Sequence, residues 1–475
     1  MRPGGGSIIR QMKYAIFPPE EILQTTVNLP LSKSESARRL VIDAIGGYAT
    51  TAEDVADCDD TRALMHALSM RNGRVDIGAA GTAMRFAAAF FAATEGTDII
   101  LDGIERMRHR PVAPLVEALR SLGADIEYTD ADGDPAKGTE GYAPLHIRGR
   151  QLEGGMVNID ATVSSQFISA LTLAAPLMRR PLRIVLEGDV TSAPYLHMTL
   201  EMLRRRGIDA ALEGNDVCIQ GSAADITAAE TPVGRDWSAA SYWYAIAALS
   251  SGWVTLPGLR LGYRLQGDSV AAEIFERLGV ISEQNPEDED TGEHIDGVGL
   301  SASPEIYSRL DLDMSATPDL VPTLAVAATM LGVPFQFHGV HTLRDKETDR
   351  LDALCAEAVK LGALYEIDGD DSIGWEGRRV PIHTLPVIET YGDHRMAMAF
   401  APAALYLPGL VIDSPEVVTK SYSGFWDDLR NAGFTITEVD EAAVNATVPS
   451  EDENPVEEQM SEKQDPGLAS NIFPT

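Results

Sequence analysis

One pattern recurs along this 475-residue chain: an amphipathic helix that ends in glycine, followed by a short apolar strand. The clearest copy is LDALCAEAVKLGALYEI at residues 351–367, where apolar residues lie three and four apart before the glycine. Glycine is typical after a helix because it readily takes the positive φ found there. The six glycines in this context are Gly73, Gly123, Gly207, Gly279, Gly362 and Gly433. Many α/β proteins contain helix, glycine and strand in this order, but six copies at similar spacing favour a duplicated α/β unit.

The charge balance limits the partners of this chain. It has 38 Lys and Arg against 72 Asp and Glu, a net charge of −34 at pH 7. Nucleic-acid binding needs a basic surface, so nucleic acid is not expected as a partner. The most apolar stretch, residues 83–94, is shorter than the ~20 residues of a membrane span. Residues 1–19 hold no apolar run of the kind found in secretory signals. We therefore expect a cytoplasmic protein without a membrane partner.

Two acidic segments and three cysteines complete this general picture. Cys58, Cys218 and Cys355 lie far apart without CxxC or Cys/His spacing, which argues against a disulfide framework and against structural zinc. Residues 283–296 (EQNPEDEDTGEHID) lack an apolar anchor and predict a solvated loop. Residues 441–475 are acidic and poor in large apolar side chains, which predicts a disordered tail. Any anion site in so acidic a chain must be a local cluster of cations.

Three motifs near the start of the chain are candidates for such a cluster. PLSKSESAR at residues 30–38 places hydroxyls and two cations at the expected start of a helix, where free backbone N–H groups suit an anion. DIGAAGTAMR at residues 76–85 is a strand-to-helix turn whose glycines allow a ligand to approach closely. ERMRHRP at residues 105–111 has three arginines within five residues. Each motif also has a structural interpretation, as a helix cap, a glycine turn or a solvated face.

Later motifs add hydroxyls, carboxylates and further cations. VSSQF at residues 163–167 and TSAPY at residues 191–195 offer hydroxyl and amide groups before helices, although either can be only a cap. In RDKETDR at residues 344–350, Lys346 and Arg350 are four apart and hence on one helix face, with Glu347 beside them. A carboxylate next to fixed cations can exchange a proton with an anionic substrate, or can simply form a surface salt bridge. YGDHRMAM at residues 391–398 sets His and Arg before an apolar helix, and TKS supplies a late cation.

Together, in this order, the motifs closely resemble those of the 5-enolpyruvylshikimate-3-phosphate (EPSP) synthases, in the enolpyruvyl transferase family. The resemblance covers roughly residues 25–435, and KETDR with DHRMAM is its most specific part. It implies two domains, residues 1–31 plus 236–440 and residues 32–235, each built of three βαβαββ units. It also implies transfer of the enolpyruvyl group of phosphoenolpyruvate (PEP) to the 5-hydroxyl of shikimate 3-phosphate, with release of phosphate through a tetrahedral intermediate. Neither a metal nor an organic cofactor is expected, and a monomer suffices.

The resemblance also assigns ligands and catalytic groups. Two phosphates and two carboxylates must be neutralised in one cleft, a task suited to Arg forks and Lys point charges. The residues that match the PEP site are Lys33, Gly81, Arg106, Gln166, Arg350, Arg395 and Lys420. Those that match the shikimate 3-phosphate site are Lys33, Ser34, Arg38, Ser164, Ser165, Gln166, Ser192, Tyr195, Asp319 and Lys346. The expected catalytic groups are Asp319 and Glu347, assisted by Lys33 and Lys346, with His394 as a proton carrier or a structural hydrogen bonder.

Four positions depart from the family pattern. Leu31 replaces a usual Gly, Ala79 and Gly392 each replace a usual Asn, and Thr342 stands where an Asn that binds the substrate is common. None of these changes removes a charged group. Two alternatives remain at this point. A related transferase that acts on a UDP-sugar has the same fold and donor, but it typically carries a reactive loop cysteine that this chain lacks. A non-catalytic anion-binding scaffold is the other.

Overall fold

Five four-stranded sheets carry the fold of residues 12–162, 164–287, 292 and 294–440, which are the residues that the computed structural model describes. The strands are β1 (Lys13–Phe17), β2 (Gln24–Thr26), β3 (Asn72–Asp76), β4 (Asp98–Asp102), β5 (Asp125–Tyr128), β6 (Leu145–Arg148), β7 (Gly155–Asp160), β8 (Leu182–Glu187), β9 (Asp209–Glu213), β10 (Asp216–Gln220), β11 (Trp253–Pro257), β12 (Val280–Gln284), β13 (Gly297–Ala302), β14 (Leu310–Asp313), β15 (Phe335–His338), β16 (Glu366–Asp368), β17 (Ser372–Trp375), β18 (Val387–Ile388), β19 (Leu410–Asp413) and β20 (Thr435–Val439). The helices are α1 (Lys33–Gly46), α2 (Asp59–Ser69), α3 (Gly81–Ala93), α4 (Ala113–Ser121), α5 (Ser165–Ala174), α6 (Ala193–Arg204), α7 (Trp237–Leu249), α8 (Ala271–Glu276), α9 (Val321–Leu331), α10 (Arg350–Lys360), α11 (His394–Phe400) and α12 (Phe425–Asn431).

These sheets share one topology. In the sheet β3-β4-β6-β5, β3 and β4 are parallel, β6 is antiparallel to β4, and β5 is antiparallel to β6 at the edge. Helix α3 connects β3 with β4, and α4 connects β4 with β5. The sheets β7-β8-β10-β9, β14-β15-β17-β16, β2-β11-β13-β12 and β18-β19-β1-β20 repeat this order. The predicted α/β class is therefore confirmed, with a mixed sheet in each repeat.

The chain returns on itself in two of the sheets. Strand β2 pairs in parallel with β11, although every element from α1 to α7 lies between them in the chain. Strand β1 lies between β19 and β20, so the first described strand completes the last sheet. The first and the last described strands therefore belong to the same sheet.

Five of the six glycines follow helices as predicted. Five glycines lie two or three positions after the last residue of α4, α6, α8, α10 and α12, and all five have positive φ, from 75° to 100°: Gly123, Gly207, Gly279, Gly362 and Gly433. Gly73 is the exception, because α2 already ends at Ser69 and Met70 takes an extended conformation. Gly73 therefore lies inside β3, and the prediction of a helix end there was wrong.

The hydrophobic core is divided into two clusters. One cluster contains buried side chains from residues 16–29 and 237–434, including the indoles of Trp237, Trp243 and Trp375. The other contains buried side chains from residues 37–226, including Phe86, Phe91 and Phe167. Burial of such large side chains is the main source of stabilisation in each cluster.

The chain crosses between the two clusters twice, and the two crossings are hydrogen-bonded to each other. The Ser32 N–H donates to the Gly234 carbonyl at 2.7 Å, and the Asp236 N–H donates to the Pro30 carbonyl at 3.0 Å. The Asp236 carboxylate accepts from the N–H of Ala239 in α7 and from the N–H of Lys33 in α1, both at 2.9 Å. One side chain therefore caps both helices, which fixes the start of α1 between the two clusters.

Some predicted features lie partly or wholly outside the described residues. The predicted tail, residues 441–475, lies outside them, as do residues 288–291 and 293 of the predicted acidic loop. Within the part of the chain that the structure describes, no helix is long and apolar enough to cross a membrane.

Candidate active site

A cavity lies between the two core clusters. Its empty space, including the solvent-filled mouth, measures about 810 Å³. Both parts of the chain contribute to its walls. The predicted site residues that line it are Lys33, Ser34, Arg38, Gly81, Ser164, Ser165, Gln166, Ser192, Tyr195, Asp319, Lys346, Glu347, Arg350 and Arg395. The sequence motifs therefore converge on one place, although they are spread over more than three hundred residues.

A single buried arginine organises the carboxylates of the cavity. Arg350, only 1% exposed, is the first residue of α10. Its guanidinium donates to Asp319 Oδ1 at 2.9 Å, to Glu347 Oε2 at 2.9 Å and to Asp393 Oδ2 at 2.7 Å. The planar fork of Arg suits this task, since its donors diverge in fixed directions. Arg350 thus holds Asp319 and Glu347 beside each other.

Asp319 is held as an ion. It lies in the 3₁₀ turn Pro318–Leu320, and its Oδ2 accepts from Arg395 at 2.8 Å and from the Tyr195 hydroxyl at 3.3 Å. Burial alone would raise the pKa of Asp319, but nearby cations, led by Arg395 and Lys346, hold that pKa well below its usual range. Asp319 is therefore a carboxylate at neutral pH, able to accept a proton.

Glu347 is also ionised, for the same kind of reason. Its Oε1 lies 3.0 Å from Lys420 Nζ, and its Oε2 lies 2.9 Å from Arg350. Burial raises the pKa of Glu347, but Lys420 and Arg350 outweigh burial and lower that pKa well below its ordinary value. A change in these cations would directly change the protonation of Glu347.

The two lysines in the cavity walls differ in their electrostatics. Lys33 Nζ lies 3.0 Å from Asp60 Oδ2. Burial lowers the pKa of Lys33, but Asp60 and Glu347 raise it by more, so the net pKa is above its ordinary value. Burial also lowers the pKa of Lys346, and there Asp319 does not compensate, so that pKa stays below its ordinary value. Lys33 is thus a fixed cation, whereas Lys346 gives up a proton more readily.

His394 is a neutral imidazole. It is 1% exposed, and neither ring nitrogen has a hydrogen-bond partner among the described residues. Burial, with a further contribution from Lys33, lowers the pKa of His394 well below its ordinary value. Its Nδ1 lies 3.5 Å from Asp393 Oδ1 without forming a hydrogen bond, so both ring nitrogens keep unused hydrogen-bonding capacity.

The opposite wall is built from the starts of three helices. Ser34 lies in the first turn of α1, Ser164 and Ser165 at the start of α5, and Ser192 directly before α6. The Ser164 hydroxyl accepts from the Gln166 N–H at 3.3 Å. Hydroxyls and free N–H groups at helix starts favour bound anions.

Arg38 connects these helices below the wall. Its guanidinium donates to the Ser34 carbonyl, to the Tyr195 carbonyl and to the Thr199 hydroxyl, at 2.9, 2.9 and 2.7 Å. Burial lowers the pKa of Arg38 to about 10, which leaves it charged at neutral pH.

The glycine turn before α3 meets an arginine. A Cβ added at Gly81 would lie 2.6 Å from Arg110 Nη1 and 2.8 Å from its Cζ. Real Cβ atoms do not come so close to other atoms, so the absence of a side chain at Gly81 gives Arg110 its place. Lys420 Nζ closes the other side of this turn, since it donates to the Ala79 carbonyl at 2.6 Å.

Comparison with known proteins identifies the family of this chain. The family model of EPSP synthase (3-phosphoshikimate 1-carboxyvinyltransferase) matches residues 69–429. The chain belongs to the EPSP synthase family. It is therefore a transferase of the shikimate pathway. Enzymes of this family use PEP and shikimate 3-phosphate as substrates.

Named relatives agree with this family over nearly their whole length. The 3-phosphoshikimate 1-carboxyvinyltransferase of Bacteroides fragilis is 44% identical over 426 residues, which cover 90% of this chain and 99% of the relative. The same enzyme of Thiobacillus denitrificans is 34% identical over 447 residues, covering 88% of this chain and 98% of the relative. A solved EPSP synthase from Acinetobacter baumannii has the same fold, with a TM-score of 0.66 at 22% identity over 90% of this chain and all of that one.

Two cations predicted for the PEP site of an EPSP synthase do not line the cavity. Lys420 lies just behind it, against Glu347. Arg106 is exposed and donates instead to the backbone carbonyls of residues 344–347 across the cleft. Arg110, from the same motif, lines the cavity in its place. Arg110 precedes Pro111 and is extended, whereas Arg106 has helical backbone angles, so the two side chains leave the turn differently. The position directly before a proline is therefore a sequence signal that distinguishes Arg110 from Arg106.

Other cavity residues were not assigned as site residues from the sequence. Asp60, on α2, pairs with Lys33, and the Phe86 ring of α3 lies under Arg38. Thr82 accepts a hydrogen bond from Gln166 Nε2 at 3.3 Å. Thr342, noted only as a departure from the family pattern, lines the cavity with a buried hydroxyl that no described residue bonds. Apart from the polar types at helix starts, the local sequence carries no signal for these contacts.

Proposed function

We propose that this chain transfers the enolpyruvyl group of PEP to the 5-hydroxyl of shikimate 3-phosphate and releases inorganic phosphate. The observation that carries this proposal is the pair Asp319 and Glu347, two ionised carboxylates held by one buried arginine in a wall of a cation-rich cavity. The reaction needs one group to remove a proton from the hydroxyl and another to exchange a proton with a carbon atom. Two carboxylates in different surroundings suit these two tasks.

Shikimate 3-phosphate is proposed to bind against the helix starts. Its phosphate would take hydrogen bonds from Ser164, Ser165 and the first N–H groups of α5, because a helix start favours negative charge. Its hydroxyls would bond to Asp319 and Lys346 on the opposite wall. The remaining residues proposed for this ligand are Lys33, Ser34, Arg38, Gln166, Ser192 and Tyr195, of which Arg38 acts by holding Ser34 and Tyr195.

PEP is proposed to bind among the cations on the other side of Gln166. Arg110 and Lys33 would take one anionic group, and Arg395 and Arg350 the other, while Lys420, behind the cavity wall against Glu347, would add its positive charge without direct contact. Gly81 leaves Arg110 close to the turn, so the ligand would meet both the guanidinium and the backbone of this turn. Arg110 takes the role that the sequence predicted for Arg106.

The geometry supports an addition followed by an elimination. In the addition, the 5-hydroxyl oxygen bonds to C2 of PEP, its proton passes to Asp319, and the methylene carbon receives a proton from Glu347. Lys33 and the arginines would stabilise the charge of the tetrahedral intermediate, and Lys346, with its lowered pKa, would assist the proton transfers. In the elimination, Glu347 takes back a methyl proton, the bond from C2 to the phosphate oxygen breaks, and the departing phosphate takes the proton held by Asp319, so both carboxyl groups return to their starting states.

Glu347 must gain a proton before it can give one. Without ligand, Lys420 and Arg350 hold its pKa well below the ordinary value. PEP brings negative charge to these cations, which weakens their effect on Glu347 and raises its pKa. Binding of PEP would thus favour the protonated Glu347 that the addition requires. His394, whose ring nitrogens form no hydrogen bond with a described residue, would serve as a hydrogen-bond partner for the ligand.

The two core clusters support the proposed division into domains, residues 1–31 plus 236–440 and residues 32–235. We further propose that the repeats number six, three in each domain. Five are the sheets described above, and the sixth would be represented by α1 and α2, which pack on each other beside the bridge between Leu31 and Arg235. The cavity between the domains needs no residue from a second subunit, in line with a monomer.

The decisive experiment is phosphate release from PEP with shikimate 3-phosphate, and separately with a UDP-sugar, as acceptor. Release with shikimate 3-phosphate alone is expected. Glu347→Gln provides the blank, since a contaminating phosphatase would act equally in both preparations. Release only with the UDP-sugar would assign the chain to the related transferase activity. Binding of both ligands by calorimetry without release would make it a non-catalytic anion-binding protein.

A further inference from the structure

Arg106 has an unexpected set of partners. It comes directly before the 3₁₀ turn Met107–His109, in the part of the chain that forms the second core cluster. Its guanidinium reaches across the cleft, where Nε lies 3.2 Å from the Glu347 carbonyl oxygen, and Nη2 lies 3.3 and 3.4 Å from those of Lys346 and Arg344. All three acceptors are carbonyl oxygens, so Arg106 binds the backbone of this segment rather than one of its side chains.

The segment that accepts these bonds carries two of the proposed reactive groups. The 3₁₀ turn His341–Asp345 ends at Lys346, and residues 346–348 form a bend before α10 begins. Lys346 and Glu347 lie in this bend, and their side chains line the cavity. The side chain of Glu347 is fixed by Arg350 and Lys420, whereas the bend itself has no helical structure to fix its carbonyls.

We propose that Arg106 is a positioning residue that holds the backbone of residues 344–347 across the cavity and so aligns Lys346 and Glu347 with the reacting atoms. This inference rests on the proposed function for its kinetic consequence. The donors used here lie on two nitrogens, Nε and Nη2, held at a fixed spacing in the guanidinium plane, which the single nitrogen of a lysine ammonium does not reproduce. Alignment matters because small errors in the position of a catalytic group reduce the rate steeply.

The test compares Arg106→Ala and Arg106→Lys with Arg108→Ala. Arg108 is the matched control, because it lies in the same turn but donates within its own domain to Asp102, at 2.9 and 3.0 Å. We expect both Arg106 variants to lose about tenfold in kcat, with less than about a threefold change in the KM for PEP, as befits lost alignment rather than lost binding. Hydrogen exchange of the amides in residues 345–349 should be faster in both Arg106 variants and unchanged in Arg108→Ala.

Three outcomes would overturn the proposal. A large rise in the KM for PEP at constant kcat, partly restored in Arg106→Lys, would show that Arg106 binds PEP as a point charge. Unchanged kcat and unchanged amide exchange in Arg106→Ala would show that the three hydrogen bonds position nothing. Equal losses in Arg108→Ala would assign the effect to the turn as a whole. If the wild-type protein releases no phosphate, the proposed function fails, while the amide exchange still tests whether Arg106 holds the bend.

Discussion

The two walls of the cavity differ in the kind of polar group that they present. The wall from residues 236–440, here called the ionic wall, contains Asp319, Glu347, Arg350 and Arg395, and its charges are already paired with one another. The wall from residues 32–235, here called the hydroxyl wall, presents serines and N–H groups at helix starts, together with the cations Lys33 and Arg110. Pairing on the ionic wall is completed during folding, so those groups need little rearrangement during the reaction. The hydroxyl wall leaves hydrogen-bonding capacity for a ligand. From this difference we expect proton transfer to depend on the ionic wall and recognition of the substrate to depend mainly on the hydroxyl wall.

The largest effect should follow from neutralising one carboxylate of the ionic wall. Glu347→Gln keeps the shape of the side chain but removes the proton-exchanging group, so kcat should fall by about 10³-fold, a typical loss for a general acid–base residue. The KM values should change little. Steady-state phosphate release measures both quantities. Glu376→Gln is a matched control, because Glu376 is an exposed glutamate that pairs with Arg309 away from the cavity. Near-normal turnover of Glu347→Gln would remove Glu347 from the reaction.

Adding a methyl group at Gly81 tests whether PEP binds beside this glycine turn. In Gly81→Ala the new Cβ would overlap the Arg110 guanidinium, so Arg110 would have to leave the position in which it is proposed to bind PEP. The KM for PEP should therefore rise by about tenfold, equivalent to about 1.4 kcal/mol of binding, while kcat is affected less.

Gly424→Ala is the control for this change, since nothing lies closer than 3.7 Å to a Cβ built there. A Gly81→Ala variant with unchanged KM for PEP would mean that Arg110 moves away without cost, and that PEP does not contact this turn.

Removal of one hydroxyl tests the recognition role of the hydroxyl wall. Ser165 is 4% exposed and is the first residue of α5. Ser165→Ala should raise the KM for shikimate 3-phosphate by about fivefold, because one hydrogen bond contributes about 1 kcal/mol. The kcat should stay within about twofold of wild type, in contrast to Glu347→Gln. A fall in kcat with an unchanged KM would contradict the division of labour between the walls.

The sequence anticipates the parts of this site that depend on local chemistry. Helix ends at Gly123 or Gly362 and hydroxyls at the start of α5 follow from short stretches of chain, and both were predicted. Gly73 shows the limit of such patterns, since a glycine near a helix end can equally lie in the next strand. The pairing of Arg350 with Asp393 joins residues 43 positions apart, and no local pattern indicates it. Which of Arg106 and Arg110 lines the cavity depends on backbone angles within a single turn.

Thr342 is an exception on the ionic wall and is expected to give the smallest effect. Its hydroxyl is buried and no described residue bonds to it, although it lines the cavity. Thr342→Val removes this hydroxyl at nearly constant shape. If the hydroxyl serves only the substrate, the KM for shikimate 3-phosphate should rise by about threefold, while the melting temperature should stay constant or rise, because an unpaired buried hydroxyl costs stability. Unchanged kinetics with a higher melting temperature would mean that the hydroxyl binds nothing, whereas a lower melting temperature would point to a structural partner. The expected combination of a higher KM and an undiminished melting temperature would show that the ionic wall also binds shikimate 3-phosphate. Both walls would then hold the substrate, and only the ionic wall would carry out proton transfer.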